Sequence, residues 1–358
     1  MAGIFRIVRL KFVARIFYNR FLIVTSIKNI VLKTLLFSPK SRLTNRVILG
    51  TLKNTVKEQF LSNFMKKLRI FLTGGGGFIG RNILEILSYE HDFLAPFSQE
   101  LDLTDADAVF EYIKNNNIDI VIHAANVGGN RSQKWVGVEW VLEKNMQMFF
   151  NLVRCKDYYK RMIVLGSGAE YDKRRDIVKI KEEDFDRRVP TDHYGVAKYI
   201  MAKYAENVDF ITHLRLFGVY GKYEDYKIRF ISEAICRAIS DMQIIINQNV
   251  YFDYLYINDF VKILNYFIIN KPRQTFYNIG RGEAMDLVSI AKKVLSATEK
   301  DLAFVVKNPG LNKEYSCNMD RLKAEMGEIT FTNLNDSLAE MTEYYQLTAP
   351  SLDAEPPL

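Results

Sequence analysis

Residues 67–82 read Lys-Leu-Arg-Ile-Phe-Leu-Thr-Gly-Gly-Gly-Gly-Phe-Ile-Gly-Arg-Asn, an apolar run that breaks into glycines and then resumes. The first part predicts a buried strand, and the amphipathic run after the glycines predicts a helix. Gly74, Gly77 and Gly80 are spaced to allow a tight turn, close approach of the backbone to a phosphate, and close packing of helix on strand. Free N–H groups at the start of the helix favour an anion. This stretch therefore predicts a site for the pyrophosphate of a dinucleotide.

Apolar strands and amphipathic helices alternate from Lys67 to Gly221. Strands are expected at 67–73, 92–97, 118–123, 161–166 and 209–215, and helices at 80–89, 105–115, 138–154 and 192–206. After Gly221 the alternation loosens into helices at 227–239 and 286–296 and short strands at 250–256 and 275–279. This order is typical of parallel βαβ units. The fold class expected is α/β, a Rossmann-type doubly wound parallel sheet with a smaller C-terminal α/β substrate lobe.

The chain of 358 residues is longer than one typical domain, and 48% of it is apolar, enough for a large core. We expect residues 1–64 to be a basic N-terminal extension and residues 65–221 to be the dinucleotide-binding domain. Residues 222–347 would form most of the substrate-binding lobe, with some segments returning to the parallel sheet. The Pro-rich residues 348–358 predict a disordered tail.

The positive net charge of the chain comes from the N-terminal extension. Its 64 residues hold twelve Lys or Arg and one acid, Glu58, so that the remaining residues carry a net charge of about −4 although the whole chain carries +7. Nucleic-acid binding needs a basic face on the folded domain. We therefore expect no nucleic-acid partner.

The extension contains the apolar run 21–37, which Lys28 and Lys33 interrupt. These charges make the run too polar to span a bilayer, and no small-residue cleavage site follows a short apolar core. One interpretation is an interfacial basic helix that contacts anionic lipid peripherally. The other is an accessory or poorly ordered extension, since Met65 directly precedes the first strand.

The three cysteines, Cys155, Cys236 and Cys317, lie far apart in the sequence. Their spacing does not match a metal site, and their number is odd, so we expect no metal and no disulfide framework. Each is interpreted as a packing residue. This use of cysteine indicates a reducing compartment, and a cytoplasmic location is expected.

Ser167, Tyr194 and Lys198 form the candidate catalytic group. Tyr194 and Lys198 are four residues apart, about one helical turn, so they share a helix face. A nearby ammonium favours phenolate, and the pKa of Tyr194 is therefore expected to fall from about 10 towards the working pH. Ser167, at the end of a predicted buried strand, can donate a hydrogen bond to the oxygen that exchanges a proton with Tyr194. Lys198 can also hold the ribose hydroxyls of a cofactor.

With these residues, five further segments resemble the extended short-chain dehydrogenase/reductase family, specifically its nucleotide-sugar epimerases, dehydratases and reductases. The segments are 122–125, 167–171, 215–221, 253–259 and 277–280, and the likeness extends from Met65 to about Leu347. The resemblance implies a catalytic role for Ser167, Tyr194 and Lys198, and cofactor contacts for Tyr194 and Lys198. It also implies a cofactor site made by Gly74, Gly77, Phe78, Ile79 and Gly80 around the pyrophosphate, Asp102 and Leu103 beside adenine, and Ala124 and Ala125.

Asp102 and its neighbour Thr104 have a second interpretation. Either side chain is expected to cap the helix that begins after them. Capping and contact with adenine are compatible, because a carboxylate can accept more than one hydrogen bond.

The substrate implied by the resemblance is a sugar linked to a nucleoside diphosphate, with Ser167, Phe217 and Arg229 as expected contacts. Many relatives place an arginine just before the segment that matches 253–259, where it holds the diphosphate. Phe252 occupies that place here, so Arg229 is expected to serve instead. A homodimer is expected through the helices near 138–154 and 192–206.

The second predicted strand ends without the acidic residue that usually binds a 2′-hydroxyl. NADP(H) is therefore favoured over NAD(H). Arg81, at the start of the first helix, is the residue expected to meet a 2′-phosphate.

Differences between this chain and the family's sequence pattern reduce the number of reactions expected of it. Dehydratases of the family carry Thr-Asp-Glu where this chain has Ser167, Gly168 and Ala169, and Glu170 is in a different register. GDP-fucose synthases, which the chain resembles most, epimerise with a cysteine and a histidine; the matching residues here are Ala169 and Arg229. We therefore expect a reductase of the 4-keto group of a nucleotide-linked 4-keto-6-deoxy sugar or heptose in surface polysaccharide biosynthesis. The alternatives are a 4-epimerase with tightly bound NAD and a catalytically silent dinucleotide-binding scaffold.

Overall fold

The glycine-rich stretch connects a strand to a helix, as its sequence predicts. The computed structural model describes residues 67–128 and 139–348. The expectations on the N-terminal extension, its lipid contact and the tail beyond Thr348 lie outside the described residues.

The elements of the described residues are numbered in chain order. The strands are β1 Arg69–Thr73, β2 Asp92–Leu94, β3 Ile120–His123, β4 Arg161–Ser167, β5 Ile177–Ile180, β6 Ile211–Leu216, β7 Gly218–Tyr220, β8 Ile244–Asn249, β9 Tyr251–Tyr256, β10 Phe276–Ile279, β11 Ala284–Asp286, β12 Phe304–Leu311 and β13 Tyr315–Cys317. The α-helices are α1 Phe78–Leu87, α2 Ala106–Asn115, α3 Glu139–Val153, α4 His193–Ala205, α5 Phe230–Ile239, α6 Ile257–Ile269, α7 Leu287–Ala297, α8 Asp320–Met326 and α9 Leu334–Thr348.

The central sheet has the strand order β2-β1-β3-β4-β6-β10, and every neighbouring pair in it is parallel. Successive side chains of a strand point to opposite faces. Ile70 and Leu72 of β1 accordingly pack in the cluster that contains α1 and α6, whereas Phe71 packs in the cluster that contains α2, α3 and α4. Full burial of each such side chain stabilises the fold by about 1.5–3 kcal/mol. The expectation of a doubly wound α/β fold is confirmed.

The carboxyl-terminal half of the chain adds a second sheet beside the central one. Its order is β11-β9-β13-β5, with β7 pairing with β9, and β8 pairs with β12 separately. Strand β10 joins the central sheet instead, parallel to β6. Strands of the second sheet thus come after strands of the central sheet in the sequence. Residues of the second sheet line the larger of the two cavities described in the next subsection.

Two differences from the expected elements have clear physical reasons. Strand β2 ends at Leu94 rather than at residue 97, and Pro96, which has no N–H to donate to a neighbouring strand, follows it closely. Helix α6 was not expected although Asn258, Lys262 and Asn265 form a less buried face at helical spacing, because the buried Asp259 interrupts the opposite apolar face in the sequence. Seven of its apolar residues are buried: Ile257, Phe260, Val261, Ile263, Leu264, Phe267 and Ile268. No helix within the described ranges combines the length and the apolar character that crossing a membrane requires.

Candidate active site

The turn between β1 and α1 accepts only glycine at two places. Gly74 has φ +71°, and a Cβ on it would lie 2.7 Å from the backbone nitrogen of Ala125. A Cβ on Gly80 would lie 2.2 Å from the carbonyl oxygen of Gly74. Gly77 is the N-cap of α1; no side chain caps the helix there, and no acidic residue lies in its first turn. The helix therefore offers its first N–H groups to an anion, which fits a pyrophosphate.

A cavity of about 690 Å³ lies against this turn. It is lined by ten of the residues expected at a cofactor: Gly74, Gly77, Phe78, Ile79, Gly80, Asp102, Leu103, Ala124, Ala125 and Tyr194. Asp102 accepts hydrogen bonds from the backbone N–H and the hydroxyl of Thr104, both at 2.8 Å. Neither of these residues caps α2. The cap is Asp105, which accepts from the N–H groups of Asp107 and Ala108.

Arg81 lies elsewhere. Its guanidinium stacks on the ring of Tyr223, 3.8 Å from the ring centroid, and the side chain is not among those that line the cavity. The cations that do line it are Lys144 of α3 and Arg229. The structure therefore gives no support to the expected contact between Arg81 and a cofactor.

A second cavity, of about 860 Å³, adjoins the first. Ser167, Lys198 and Phe217 line it, and Tyr194 lines both cavities. The other shared residues are Phe78, Ile79, Ala124, Asn126, Glu224 and Arg229. Tyr194 thus stands where a molecule in one cavity can meet a molecule in the other.

The acidity of Tyr194 differs from the sequence expectation. Burial raises the pKa of Tyr194 above its ordinary value, and a hydrogen bond with the Ser167 side chain opposes this shift only in part. The Lys198 ammonium lies 5.9 Å from the centroid of the Tyr194 ring. The expected lowering of this pKa is wrong for the structure as it stands, because the loss of hydration outweighs the nearby charges. Tyr194 is a protonated phenol, suited to donate a proton.

Lys198 is held inside the protein. Its Nζ donates a hydrogen bond to the carbonyl oxygen of Leu165 at 2.8 Å, and the side chain is buried. Burial lowers the pKa of Lys198 to about 8, with the negative charge of Glu170 opposing the shift. This lysine therefore changes charge close to physiological pH.

Ser167 ends β4 and begins a short 3₁₀ turn, Gly168–Glu170. Its Oγ accepts a hydrogen bond from the N–H of Ala169 at 3.1 Å, and its own N–H donates to Glu170 at 2.9 Å. The turn thus fixes the direction in which the Ser167 hydroxyl projects into the larger cavity.

Glu170 is buried beneath this turn in an ionic cluster. Its carboxylate accepts hydrogen bonds from His213, at 2.7 Å, and from Arg215. Burial opposes ionisation, but His213 and Arg215 outweigh it and hold the pKa of Glu170 below its ordinary value. Gly166 is required here, because a Cβ would lie 2.1 Å from the His213 ring. Glu170 is therefore occupied within the protein and is not a free acid or base.

Besides Ser167, the expected substrate contacts Phe217 and Arg229 also line the larger cavity. The ring of Phe217 is buried and lies 4.9 Å from that of Tyr315. The Arg229 side chain is more than half exposed, and its Nε is 3.9 Å from Glu224. Their contact with a substrate stays a prediction.

A family model matches residues 70–280, which include β1, the glycine turn, Ser167, Tyr194 and Lys198. The matching model is that of the NAD-dependent epimerase/dehydratase family. The chain belongs to this family. It is an enzyme of the epimerase/dehydratase class, with the parallel sheet that the resemblance implied.

Named relatives of this family include nucleotide-sugar enzymes. The chain is 26% identical to the GDP-L-colitose synthase of Yersinia pseudotuberculosis over 78% of its own length and 98% of the relative's. The GDP-L-fucose synthetase of Naegleria fowleri, solved with NADP, superposes with a TM-score of 0.70 at 16% identity, covering 79% of this chain and 93% of the other. MlghC, a GDP-mannoheptose C4 reductase of Campylobacter jejuni solved with NADP, gives 0.68 at 18% identity, covering 78% and 98%. At these identities the two structures establish the fold alone.

The epimerase/dehydratase site contains residues that sequence reasoning missed. Tyr315 of β13 and Tyr254 of β9 line the larger cavity, as do the cations Lys173, Arg175 and Lys313. Glu224 lines both cavities; burial raises its pKa to about 7, and it accepts a hydrogen bond from Ser232 at 2.7 Å. Apart from Tyr254, which lies in the segment 253–259, none of these residues belongs to a short motif with a functional spacing. Their positions depend on strand pairing between distant segments, which gives no local signal.

Proposed function

We propose that this enzyme reduces the 4-keto group of a nucleotide-linked 4-keto-6-deoxy sugar or heptose. The observation that carries the proposal is the meeting of the two cavities at Tyr194, with Ser167 and Lys198 lining the substrate side. A phenol, a hydroxyl and an ammonium at one point are suited to a carbonyl that gains a hydride and a proton.

The smaller cavity suits a nicotinamide dinucleotide. The free helix N-terminus at Gly77 and the turn that only glycine permits at Gly74 would hold the pyrophosphate, and Asp102 and Leu103 would lie beside adenine. When bound, this cofactor supplies the hydride. Pro96, Phe97 and Ser98, which line the cavity just after β2, carry no carboxylate to bind a 2′-hydroxyl. NADP(H) is accordingly the proposed form.

The residues of the chain would act on the carbonyl oxygen of the substrate. Tyr194, protonated because burial raises its pKa, donates the proton. Ser167 donates a hydrogen bond to the same oxygen and stabilises negative charge as it develops. Lys198, cationic below its pKa of about 8, favours this charge and holds the cofactor ribose.

The larger cavity suits a nucleoside-diphosphate sugar. Its cations, Lys173, Arg175, Arg229 and Lys313, match a diphosphate, and the rings of Phe252 and Tyr254 offer flat apolar surfaces. The arginine that many relatives carry at position 252 is replaced, so these cations would take over its role. The named relatives that act on GDP-linked sugars support this substrate class.

Two features favour simple reduction over the other reactions of the family. Glu170 is buried in hydrogen bonds with His213 and Arg215, so it cannot supply the acid and base of a dehydration. Ala169, which stands where GDP-fucose synthases carry a cysteine, has no proton to exchange. A 4-epimerase needs only Ser167, Tyr194 and Lys198 and is the alternative that the experiment must separate.

The experiment begins with the purified chain and a denatured portion of it, to identify any dinucleotide released. NADPH absorbance is then followed after addition of GDP-, UDP- and dTDP-linked 4-keto-6-deoxy sugars and a GDP-linked 4-keto heptose. Stoichiometric consumption of NADPH with formation of a 4-hydroxy sugar is the expected result. Bound NAD with interconversion of two 4-epimers and no net consumption would instead show a 4-epimerase. Binding of a dinucleotide without any turnover would indicate a catalytically silent scaffold and would overturn the proposal.

A further inference from the structure

A buried carboxylate, that of Glu224, lies at the junction of the two cavities. Glu224 follows β7 in the chain, and its side chain is only 4% exposed. It lines the smaller cavity and the larger one, and among the described residues that line both it carries the one carboxylate. Tyr194 and Arg229 line both cavities in the same way. Glu224 therefore lies where a bound sugar and a nicotinamide would meet.

The carboxylate of Glu224 keeps room for hydrogen bonds from a ligand. Its Oε2 accepts a hydrogen bond from the hydroxyl of Ser232 at 2.7 Å. Its Oε1 lies 3.9 Å from Nε of Arg229, a distance too long for a hydrogen bond. An ionised carboxylate accepts about four hydrogen bonds. A bound molecule that carries hydroxyl groups would supply further donors to it.

The acidity of Glu224 shows that its partners within the protein do not fully replace water. Burial raises the pKa of Glu224 to about 7, although Ser232, the charge of Arg229 and the backbone N–H of Gly221 favour the ionised form. Burying a charged group is costly where its hydrogen bonds are incomplete. Donors from a ligand would reduce this cost and favour the carboxylate.

The contacts of Glu224 indicate which hydroxyl groups it would meet. In the proposed function Arg229 contacts the diphosphate, which is bonded to C1 of the sugar, and Tyr194 reaches the oxygen on C4. Glu224 lies against Arg229 and shares the junction with Tyr194, so it would lie along the ring between C1 and C4. One edge of the ring between these carbons is the ring oxygen and C5, which carry no ring hydroxyl. The other edge is C2 and C3, which carry the hydroxyl groups.

We infer that Glu224 is a substrate-binding residue, whose carboxylate accepts hydrogen bonds from the C2 and C3 hydroxyl groups of the sugar. The inference rests on the proposed function, which supplies the sugar and places its C4 at Tyr194. It makes Glu224 a determinant of specificity, because an analogue that lacks a hydroxyl leaves the buried carboxylate without that partner. No bond to carbon forms or breaks at Glu224.

The test compares two substrates on the full chain with NADPH: a nucleotide-linked 4-keto sugar that the wild type reduces, and its 3-deoxy counterpart. The wild type is expected to favour the 3-hydroxy substrate by about 10–100-fold in kcat/KM, the value of one hydrogen bond to a charged group. Glu224→Gln keeps the shape and an acceptor oxygen but loses the charge, so this preference should fall to about 2–10-fold. Glu224→Ala should abolish the preference.

Two control variants separate substrate binding from a structural role. Ser232→Ala removes the hydrogen bond that ties Glu224 to α5 but keeps the carboxylate, so it should lower the melting temperature and retain the substrate preference. Glu233→Gln changes a carboxylate that lines the larger cavity alone and pairs with Arg237 at 2.7 Å, and it should also retain the preference. A preference lost equally in Ser232→Ala and Glu224→Ala, or unchanged in Glu224→Ala, overturns the inference.

Equilibrium binding makes the test independent of turnover. Isothermal titration calorimetry with NADP⁺ present measures the affinities of the two 4-hydroxy products, with and without the C3 hydroxyl. The wild type should bind the 3-hydroxy product about 10–100-fold more tightly, and Glu224→Ala should bind the two products equally with its affinity for NADP⁺ unchanged.

The same titration distinguishes failure of the inference from failure of the proposed function. A chain that shows this difference in affinity but reduces no sugar would refute the proposed function and support the role of Glu224. Equal affinities in the wild type, or a loss in Glu224→Ala confined to NADP⁺, overturn the inference even if the enzyme proves to be a reductase.

Discussion

Burial decides the protonation states of the residues at the reaction centre. Tyr194 is kept protonated and the pKa of Lys198 is lowered to about 8, because transfer out of water disfavours the charged form of each side chain. For a reductase these shifts are useful, since the phenol must give a proton to the carbonyl oxygen. The same shifts make activity sensitive to single substitutions and to pH.

Tyr194→Phe removes the proton donor and keeps the ring. We expect kcat to fall by about 10²–10⁴-fold, the usual value of a positioned general acid. The dissociation constant for the dinucleotide should change little, because the rest of the smaller cavity is unaltered. Stopped-flow reduction and fluorescence titration measure the two quantities, and a variant that keeps its turnover would remove Tyr194 from the mechanism.

Lys198 is expected to limit reduction at alkaline pH. Its pKa of about 8 means that it is charged below this value and neutral above it, so kcat/KM should fall as pH rises through about 8. In Lys198→Arg the guanidinium stays charged, so kcat/KM should no longer fall as pH rises through about 8, even though the absolute rate is lower. A wild-type profile that stays flat through this range would contradict the assignment.

At the scale of elements, the turn between β1 and α1 is built on backbone contact. Gly80 lies in the first turn of α1 where the helix touches the carbonyl of Gly74, so the helix axis can approach the strand closely. Gly77 is one turn earlier, has φ −79°, and leaves room for a methyl group 3.4 Å from the same carbonyl. Gly80 and Gly77 therefore differ in whether they can be replaced by a residue with a Cβ, although both belong to one motif.

Gly80→Ala is expected to lower the free energy of unfolding by about 1–3 kcal/mol, because backbone atoms must shift to accept the methyl group. Gly77→Ala should change it by less than about 1 kcal/mol, since neither φ nor space opposes alanine there. Urea unfolding of the proteins without added dinucleotide compares the two. Equal losses would mean that the close approach of α1 to β1 is not the constraint.

At the scale of the whole molecule, the faces of α3 and α4 bear on the expected homodimer. Trp140 and Phe150 of α3 are 38% and 40% exposed, and Tyr158 just beyond it is 41% exposed. Phe150 also packs edge to face on Tyr204 of α4, 5.5 Å between centroids. We propose that a second copy of this chain covers this surface, so that the protein forms a homodimer. The cytoplasmic location is likewise a proposal.

Light scattering coupled to gel filtration is expected to show a dimer at micromolar concentration. Phe150→Glu should shift the mass towards the monomer, because a charge would be buried in an apolar interface. The control is Leu347→Glu on α9, 75% exposed, which should leave the mass unchanged. A monomeric wild type would show that no such interface forms. A dimer that survives Phe150→Glu would show that the interface lies elsewhere.

The amino-acid sequence by itself determined the α/β class, the glycine turn and the Ser167, Tyr194 and Lys198 group. Each of these depends on residues close together in the chain: alternation within an element, glycines three apart, or two side chains one helical turn apart. Helix α6 was not predicted because Asp259 interrupts its apolar face in the sequence, and the partner that allows this carboxylate to be buried is Thr332, far along the chain.

Only the tertiary structure decided which distant side chains join that group. It paired β13 with β9 and placed the Tyr315 hydroxyl against Gly168, it enclosed Glu170 between His213 and Arg215, and it stacked Arg81 on Tyr223. It also reversed the expected pKa shift of Tyr194. Pairing partners and burial are properties of the folded chain, set by contacts between segments far apart in sequence, so no local pattern encodes them.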